Sequence, residues 1–143
     1  MTRRFEGYRA EAYQDAGGVW TIGYGHTGSD VHGGLVWTRE QAEAALMRDI
    51  AGSVAWVNRV VSQRLEQHQF DALVDFCFNC GAGSLERSTL LRKVNAGEME
   101  EAAAQFELWV HDAAGSTLPG LVMRRRAEAR MFLGEPWSAE EAA

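Results

Sequence analysis

Through the middle of the chain, Ala42, Leu46, Ile50, Val54, Val57 and Val61 recur at steps of four and three, the spacing that lines up one face of an α-helix. Just ahead of them, Thr38-Arg-Glu-Gln has the form of a capping box, in which the Thr38 hydroxyl and the Gln41 side chain satisfy free amides at a helix start. One long amphipathic helix is therefore predicted, ending at about Val60. From Gln67 to Cys80, Phe70, Leu73, Val74, Cys77 and Phe78 form one stripe while Ala72, Phe76 and Cys80 cover another. A helix apolar nearly all round is a buried one, so this segment is expected at the centre of a helical lobe. Ser88 suits the N-cap of a helix through Val94, stopped by Asn95-Ala-Gly97. Met99, Ala102, Ala103, Phe106, Trp109 and Val110 give the next helix, and a loop from His111 to Gly120 leads to a last helix from Leu121 to Leu133.

The first quarter of the chain reads differently. Residues 1–6 can form only a short helical segment, and Gly7 is placed to stop it. A strand follows, then a Gly17-Gly18 turn and a second strand whose positions alternate. Trp20, Ile22, Tyr24 and His26 share a bulky face suited to packing, and Val19, Thr21, Gly23 and Gly25 share a nearly bare one. Glycine inside a strand marks close approach by a ligand or another backbone, so the bare face is expected to wall a groove. Thr27-Gly-Ser-Asp-Val-His-Gly-Gly reads as a loop rimming that groove, with His32 exposed. The expected fold is α+β and predominantly helical, in two lobes. A β-hairpin lobe covers about 12–37, a connecting helix about 38–61, a helical lobe packed with the N-terminal segment about 62–134, and a tail 135–143. A helix bridging two lobes leaves a cleft between them.

Composition narrows the class. The 143 residues suit one domain, and 46% hydrophobic with 24% charged residues exclude a disordered chain. No run approaches the roughly 20 apolar residues needed to span a bilayer, and no apolar stretch follows Met-Thr-Arg-Arg, so neither a signal peptide nor membrane insertion is expected. A net charge of −6 argues against binding nucleic acid through the overall field, although Arg124, Arg125, Arg126 and Arg130 make a local basic cluster. Cys77 and Cys80 have C-x-x-C spacing, but no second Cys or His pair completes a zinc set. They are read as buried thiols; the competing reading is a thiol oxidoreductase, which requires an accessible thiol of low pKa.

Candidate chemistry lies between Phe5 and His26. Glu6 sits at a helix end, where the negative end of the dipole and any shielding from water favour its protonated form, as a general acid requires. Arg3 and Arg4 would act in the opposite sense. Asp15 and Thr21 flank the turn of the hairpin.

Glu6, Asp15 and Thr21 fit the pattern E-x8-D-x5-T followed by Ile-Gly-Tyr-Gly-His-Thr. With Thr38-Arg-Glu-Gln-Ala-Glu, Phe78-Asn-Cys-Gly-Ala-Gly, Ser88-Thr-Leu-Leu-Arg-Lys-Val-Asn-Ala-Gly and Leu118-Pro-Gly-Leu-Val-Met-Arg-Arg-Arg-Ala-Glu, the chain resembles the phage-type lysozymes, endolysins of glycoside hydrolase family 24, from about Phe5 to Leu133. The resemblance implies hydrolysis of the β-1,4 bond between N-acetylmuramic acid and N-acetylglucosamine in bacterial peptidoglycan. Glu6 would protonate the leaving oxygen while Asp15, with Thr21, positions the attacking water. Inversion is implied, with the carboxyls about 6.5–9.5 Å apart. Substrate-binding candidates are Gly23, Gly25, His26, Asn79, Arg124 and Arg125; His26 is also read as structural from its strand parity. No metal or cofactor is implied. A monomer is expected, kept in the host cytoplasm until a separate pore-forming protein releases it to the wall. The alternative is a wall-binding module of the same fold with impaired turnover.

Overall fold

The side chain of Gln41 accepts the Thr38 N–H at 2.8 Å, and the Thr38 hydroxyl accepts the Gln41 N–H at 3.2 Å. This is the expected capping box, and it starts the long helix at the predicted place. The computed structural model describes residues 1–138. In chain order the elements are α1 (Thr2–Glu6), β1 (Arg9–Gln14), β2 (Trp20–Gly23), β3 (His26–Thr27), α2 (Arg39–Val60), α3 (Gln67–Cys80), α4 (Ala82–Arg87), α5 (Thr89–Asn95), α6 (Met99–Phe106) and α7 (Pro119–Phe132). The fold is α+β and predominantly helical, as expected. The part of the predicted tail from 139 onward lies outside the described residues.

The chain divides into compact units at Met1–Gly52 and Ser53–Ala143, the boundary falling inside α2. Residues 1–6 group with the sheet and the first part of α2.

In the first unit the strands form an antiparallel sheet in the order β1-β2-β3. Tyr13 pairs with Thr21 and Gln14 with Trp20, and the pairing is irregular between Arg9 and Tyr13. The second strand is shorter than its alternation suggests. Gly23 and Gly25 take φ of 67° and 72°, and the chain turns through Tyr24-Gly25 so that β3 folds back and His26 pairs with Ile22. Directly opposed residues share a face, so His26 does stay with Ile22, through pairing rather than through strand parity. The bulky face is not uniformly packed. Ile22 and Tyr24 enter a core with Val31, Ala42, Ala45 and Leu46, but Trp20 is 37% exposed. Its indole ring lies over Gly33, where a Cβ would sit 2.9 Å from Cη2.

In the second unit six consecutive residues of α3, Ala72 to Cys77, are buried, which requires packing on every side of the helix. Phe76 meets Phe106 and Trp109 edge-on at 5.6 and 5.3 Å, and Phe132 joins Phe106 at 5.6 Å. Ser88 caps α5 as expected, its hydroxyl accepting the Leu91 N–H. Three boundaries differ from expectation. The short α4 carries a single buried anchor, Leu85, too little to produce a period. Helix α6 ends at Phe106, because beyond it the Val110 carbonyl accepts the Leu118 N–H and His111 bridges Thr117 in an extended turn. Helix α7 begins two residues early, since Pro119 fits a first helical turn that needs no N–H. Among the described residues no helix is long and apolar enough to cross a membrane.

Candidate active site

Helix α1 is closed by Gly7, whose N–H donates to the Arg3 carbonyl at 3.2 Å with φ of 67°. Glu6 is therefore the last helical residue, and its half-buried side chain reaches the β2–β3 turn. There Oε2 lies 2.5 Å from where a Gly25 Cβ would be. The glycine that the sequence places in the site is thus the seat of the carboxyl group.

Asp15 stands at the other end of the sheet and builds its turn. Oδ1 accepts the Gly17 N–H at 2.8 Å and the Val19 N–H at 2.9 Å, leaving Oδ2 outside the turn's hydrogen bonds. Thr21 is 5% exposed, and its hydroxyl donates to the Val19 carbonyl at 3.0 Å, so its lone pairs remain as acceptors. The peptide groups of Val19 thereby hold both candidates, accepting the Thr21 proton and donating to Asp15. Gly23, expected to admit substrate, admits other parts of the chain instead. A Cβ there would stand 3.0 Å from the Ala42 Cβ and 3.3 Å from Trp37, so close packing on α2 explains it.

His26 is held at both ring nitrogens, Nδ1 with Asp49 at 2.8 Å and Nε2 with Asp30 at 3.1 Å, and its ring lies 5.2 Å from that of Trp37. Burial alone would lower its pKa; the hydrogen bonds to Asp49 and Asp30 outweigh that and raise it. Two acceptors on one imidazole favour the doubly protonated ring. His26 thereby ties β3 to α2 and to the glycine-rich loop.

Asn79, Arg124 and Arg125 belong to the other unit, and the expectation that the arginines meet substrate carboxylates needs correction. Both are buried. Arg124 donates to Asp75 through Nε at 2.9 Å and Nη2 at 3.0 Å, while Arg125 donates to Asn79 and to the Cys80 sulfur and lies over the Phe76 ring. Both guanidinium groups are engaged inside the lobe, and Arg124 meets a carboxylate there. Asp75 was legible as a charge inside the apolar run 72–78; Glu128, three and four residues from the arginines, was legible as their helical partner. Asn79 is exposed, but its oxygen is engaged by Arg125.

Cys77 is buried, and burial pushes the partly exposed Cys80 thiol up to about 11. Both thiols are raised rather than lowered, against the redox reading; the expectation of buried thiols holds for Cys77 and needs correction for Cys80, which is partly exposed.

Comparison with known proteins accords with this geometry. The endolysin of Acyrthosiphon pisum secondary endosymbiont phage 1 is 42% identical over 135 residues, covering 92% of each chain. Among solved structures, the muramidase domain of SpmX from Asticaccaulis excentricus is similar at TM-score 0.85 and 41% identity, over 92% of this chain and 91% of that one. An endolysin from Escherichia coli O157:H7 phage FAHEc1 aligns at TM-score 0.89 and 36% identity, over 96% of this chain and 90% of that one. The family model for phage lysozyme matches residues 3–128, and the chain belongs to that family.

Proposed function

We propose that this chain hydrolyses peptidoglycan as a muramidase, with Glu6 as general acid and Asp15, assisted by Thr21, directing water to the sugar. Family membership carries the activity; the observation that carries the residue assignment is the Glu6 carboxyl group seated on Gly25, in the same compact unit as the Asp15–Thr21 turn. A half-buried carboxyl group at a helix end can deliver a proton to the leaving oxygen as the sugar ring gains oxocarbenium character. Asp15 has one oxygen fixed by the turn, which holds the carboxylate still, and a second outside those bonds to orient water. The Thr21 hydroxyl donates its hydrogen bond to the Val19 carbonyl and can accept one from the same water. Attack by water opposite the leaving group gives an inverted anomer, the course we assign to this chain on its resemblance to glycoside hydrolase family 24.

We extend the reading to delivery: the chain acts as a monomer made in the host cytoplasm, and a separate pore-forming protein gives it access to the wall.

The test is product analysis. Digested sacculi, reduced with borohydride, should yield muropeptides ending in reduced N-acetylmuramic acid, and proton NMR of fresh product should show the α anomer first. Reduced N-acetylglucosamine ends, or release of peptides without new reducing sugar, would overturn the bond assignment. A β anomer appearing first would overturn inversion.

A further inference from the structure

Glu43, in the second turn of α2, touches no expected substrate contact, yet its carboxylate joins the parts of the chain that fix Glu6. One oxygen, Oε2, takes the Arg3 guanidinium. The other, Oε1, accepts the Tyr24 hydroxyl at 2.9 Å. Arg3 precedes Glu6 by three residues, hence lies on the same face of α1 one turn back. Tyr24 immediately precedes Gly25, on which the Glu6 carboxyl group rests. A single carboxylate on a long helix therefore sets both the helix end that carries Glu6 and the turn that receives it.

The surroundings make this a defined seat. Tyr24 is 3% exposed. Its hydroxyl also accepts Arg39 Nη1 at 3.1 Å, and that guanidinium lies 4.3 Å from the Tyr8 ring centroid. The Tyr8 and Tyr24 rings are 5.6 Å apart, and the Tyr8 hydroxyl donates to the Trp37 carbonyl at 3.2 Å. Helix α1 has only five residues, too few to hold a direction by its own hydrogen bonds. Its aim is supplied from outside.

We infer that Glu43 is a positioning residue for the general acid: it aligns α1 with the Tyr24-Gly25 turn and so holds the Glu6 carboxyl group in its working place. The inference rests on the assignment of Glu6 above. The Arg3 pair is partly exposed and contributes little to stability, whereas displacing a reacting group by about 1 Å can cost up to about a hundredfold in rate. The expected loss is in turnover.

Steady-state kinetics on soluble peptidoglycan fragments should be measured for the parent, Glu43→Ala, Glu43→Gln and Glu6→Gln, with Ser88→Ala as a destabilised control in the other unit. We expect Glu43→Ala to lose at least about tenfold in kcat with KM within about twofold. Glu43→Gln, whose single amide oxygen can replace only one of the two acceptors, should recover only part of that loss. Ser88→Ala should keep its kcat despite a lower Tm. An unchanged kcat in Glu43→Ala, a loss confined to KM, or an equal loss in Ser88→Ala would overturn the inference while leaving Glu6 as the acid. Should Glu43→Ala fail to fold, a Glu43→Gln kcat equal to the parent's would overturn it alone. Full activity in Glu6→Gln would remove the assignment beneath it, and the inference with it.

Discussion

Glu128→Gln asks whether the buried cluster in the helical unit holds its second carboxyl group charged or neutral. Glu128 is fully buried, and neither of its oxygens accepts a hydrogen bond; Arg125 Nε lies 3.2 Å from Oε2 without donating to it. Burial raises the Glu128 pKa well above the usual value, Arg125 pulls it down, and a hydrogen bond shared with Asp75 pushes it up again. A proton on Glu128 makes that bond possible, with Asp75 as the charged partner of Arg124. The native state then keeps a proton that the unfolded chain releases near pH 4.3, so stability is complete below that pH and falls as pH rises toward the raised native value, by about 1.4 kcal/mol per unit. Glutamine mimics the neutral acid and lacks this slope. Urea denaturation followed by circular dichroism from pH 4 to 7.5 should show the variant gaining on the parent as pH rises above the unfolded value and until the raised native value is reached. Were Glu128 ionised and paired with Arg125, its removal would cost about 3–5 kcal/mol and the deficit would stay nearly constant above about pH 5. A variant that does not gain on the parent between about pH 4.5 and 7 refutes the neutral acid.

Asp49→Asn should flatten the Tm profile between about pH 6 and 8, because a His26 pKa raised above about 6.5 gives stability that is full below that value and lost as pH rises through the native one; an unchanged slope would rule out His26 as its source. Ser88→Ala removes a cap whose hydroxyl also donates to the Leu85 carbonyl at 2.7 Å, and thermal denaturation should register a loss of about 1 kcal/mol. Cys80, raised to about 11, should alkylate with iodoacetamide at pH 8 far more slowly than glutathione; a rate matching glutathione would mean an accessible, activated thiol.

Helix positions were legible wherever one sequence signal was unopposed. The capping box at Thr38 and the two-sided apolar pattern of Gln67–Cys80 fixed α2 and α3 because burial and hydrogen bonding agree there. Alternation failed between Gly23 and Gly25, where two positive-φ residues outweigh the apolar period and turn the chain back. It failed again at Trp109 and Val110, whose helical spacing is overridden by an extended pairing with Leu118. The candidate site was legible as residue types at a spacing, but not as roles. Gly25 serves Glu6, Gly23 serves packing on Ala42, Arg124 serves the buried Asp75, and Arg125 serves Asn79 and Cys80. Those distinctions depend on which chain segment arrives next to each residue. Glu43 was legible as the last residue of Thr38-Arg-Glu-Gln-Ala-Glu but not in its contacts, as its neighbours Arg3 and Tyr24 are 40 and 19 residues away.

The most direct test of the account is the clearing of a purified peptidoglycan suspension by the parent, Glu6→Gln and Asp15→Asn, with circular dichroism confirming that all three fold. The parent should clear the suspension and both variants should lose at least about a hundredfold, the scale set by removing general acid or base catalysis. Clearing by Glu6→Gln at the parent's rate would contradict it, as would a folded parent that binds the wall and leaves it intact.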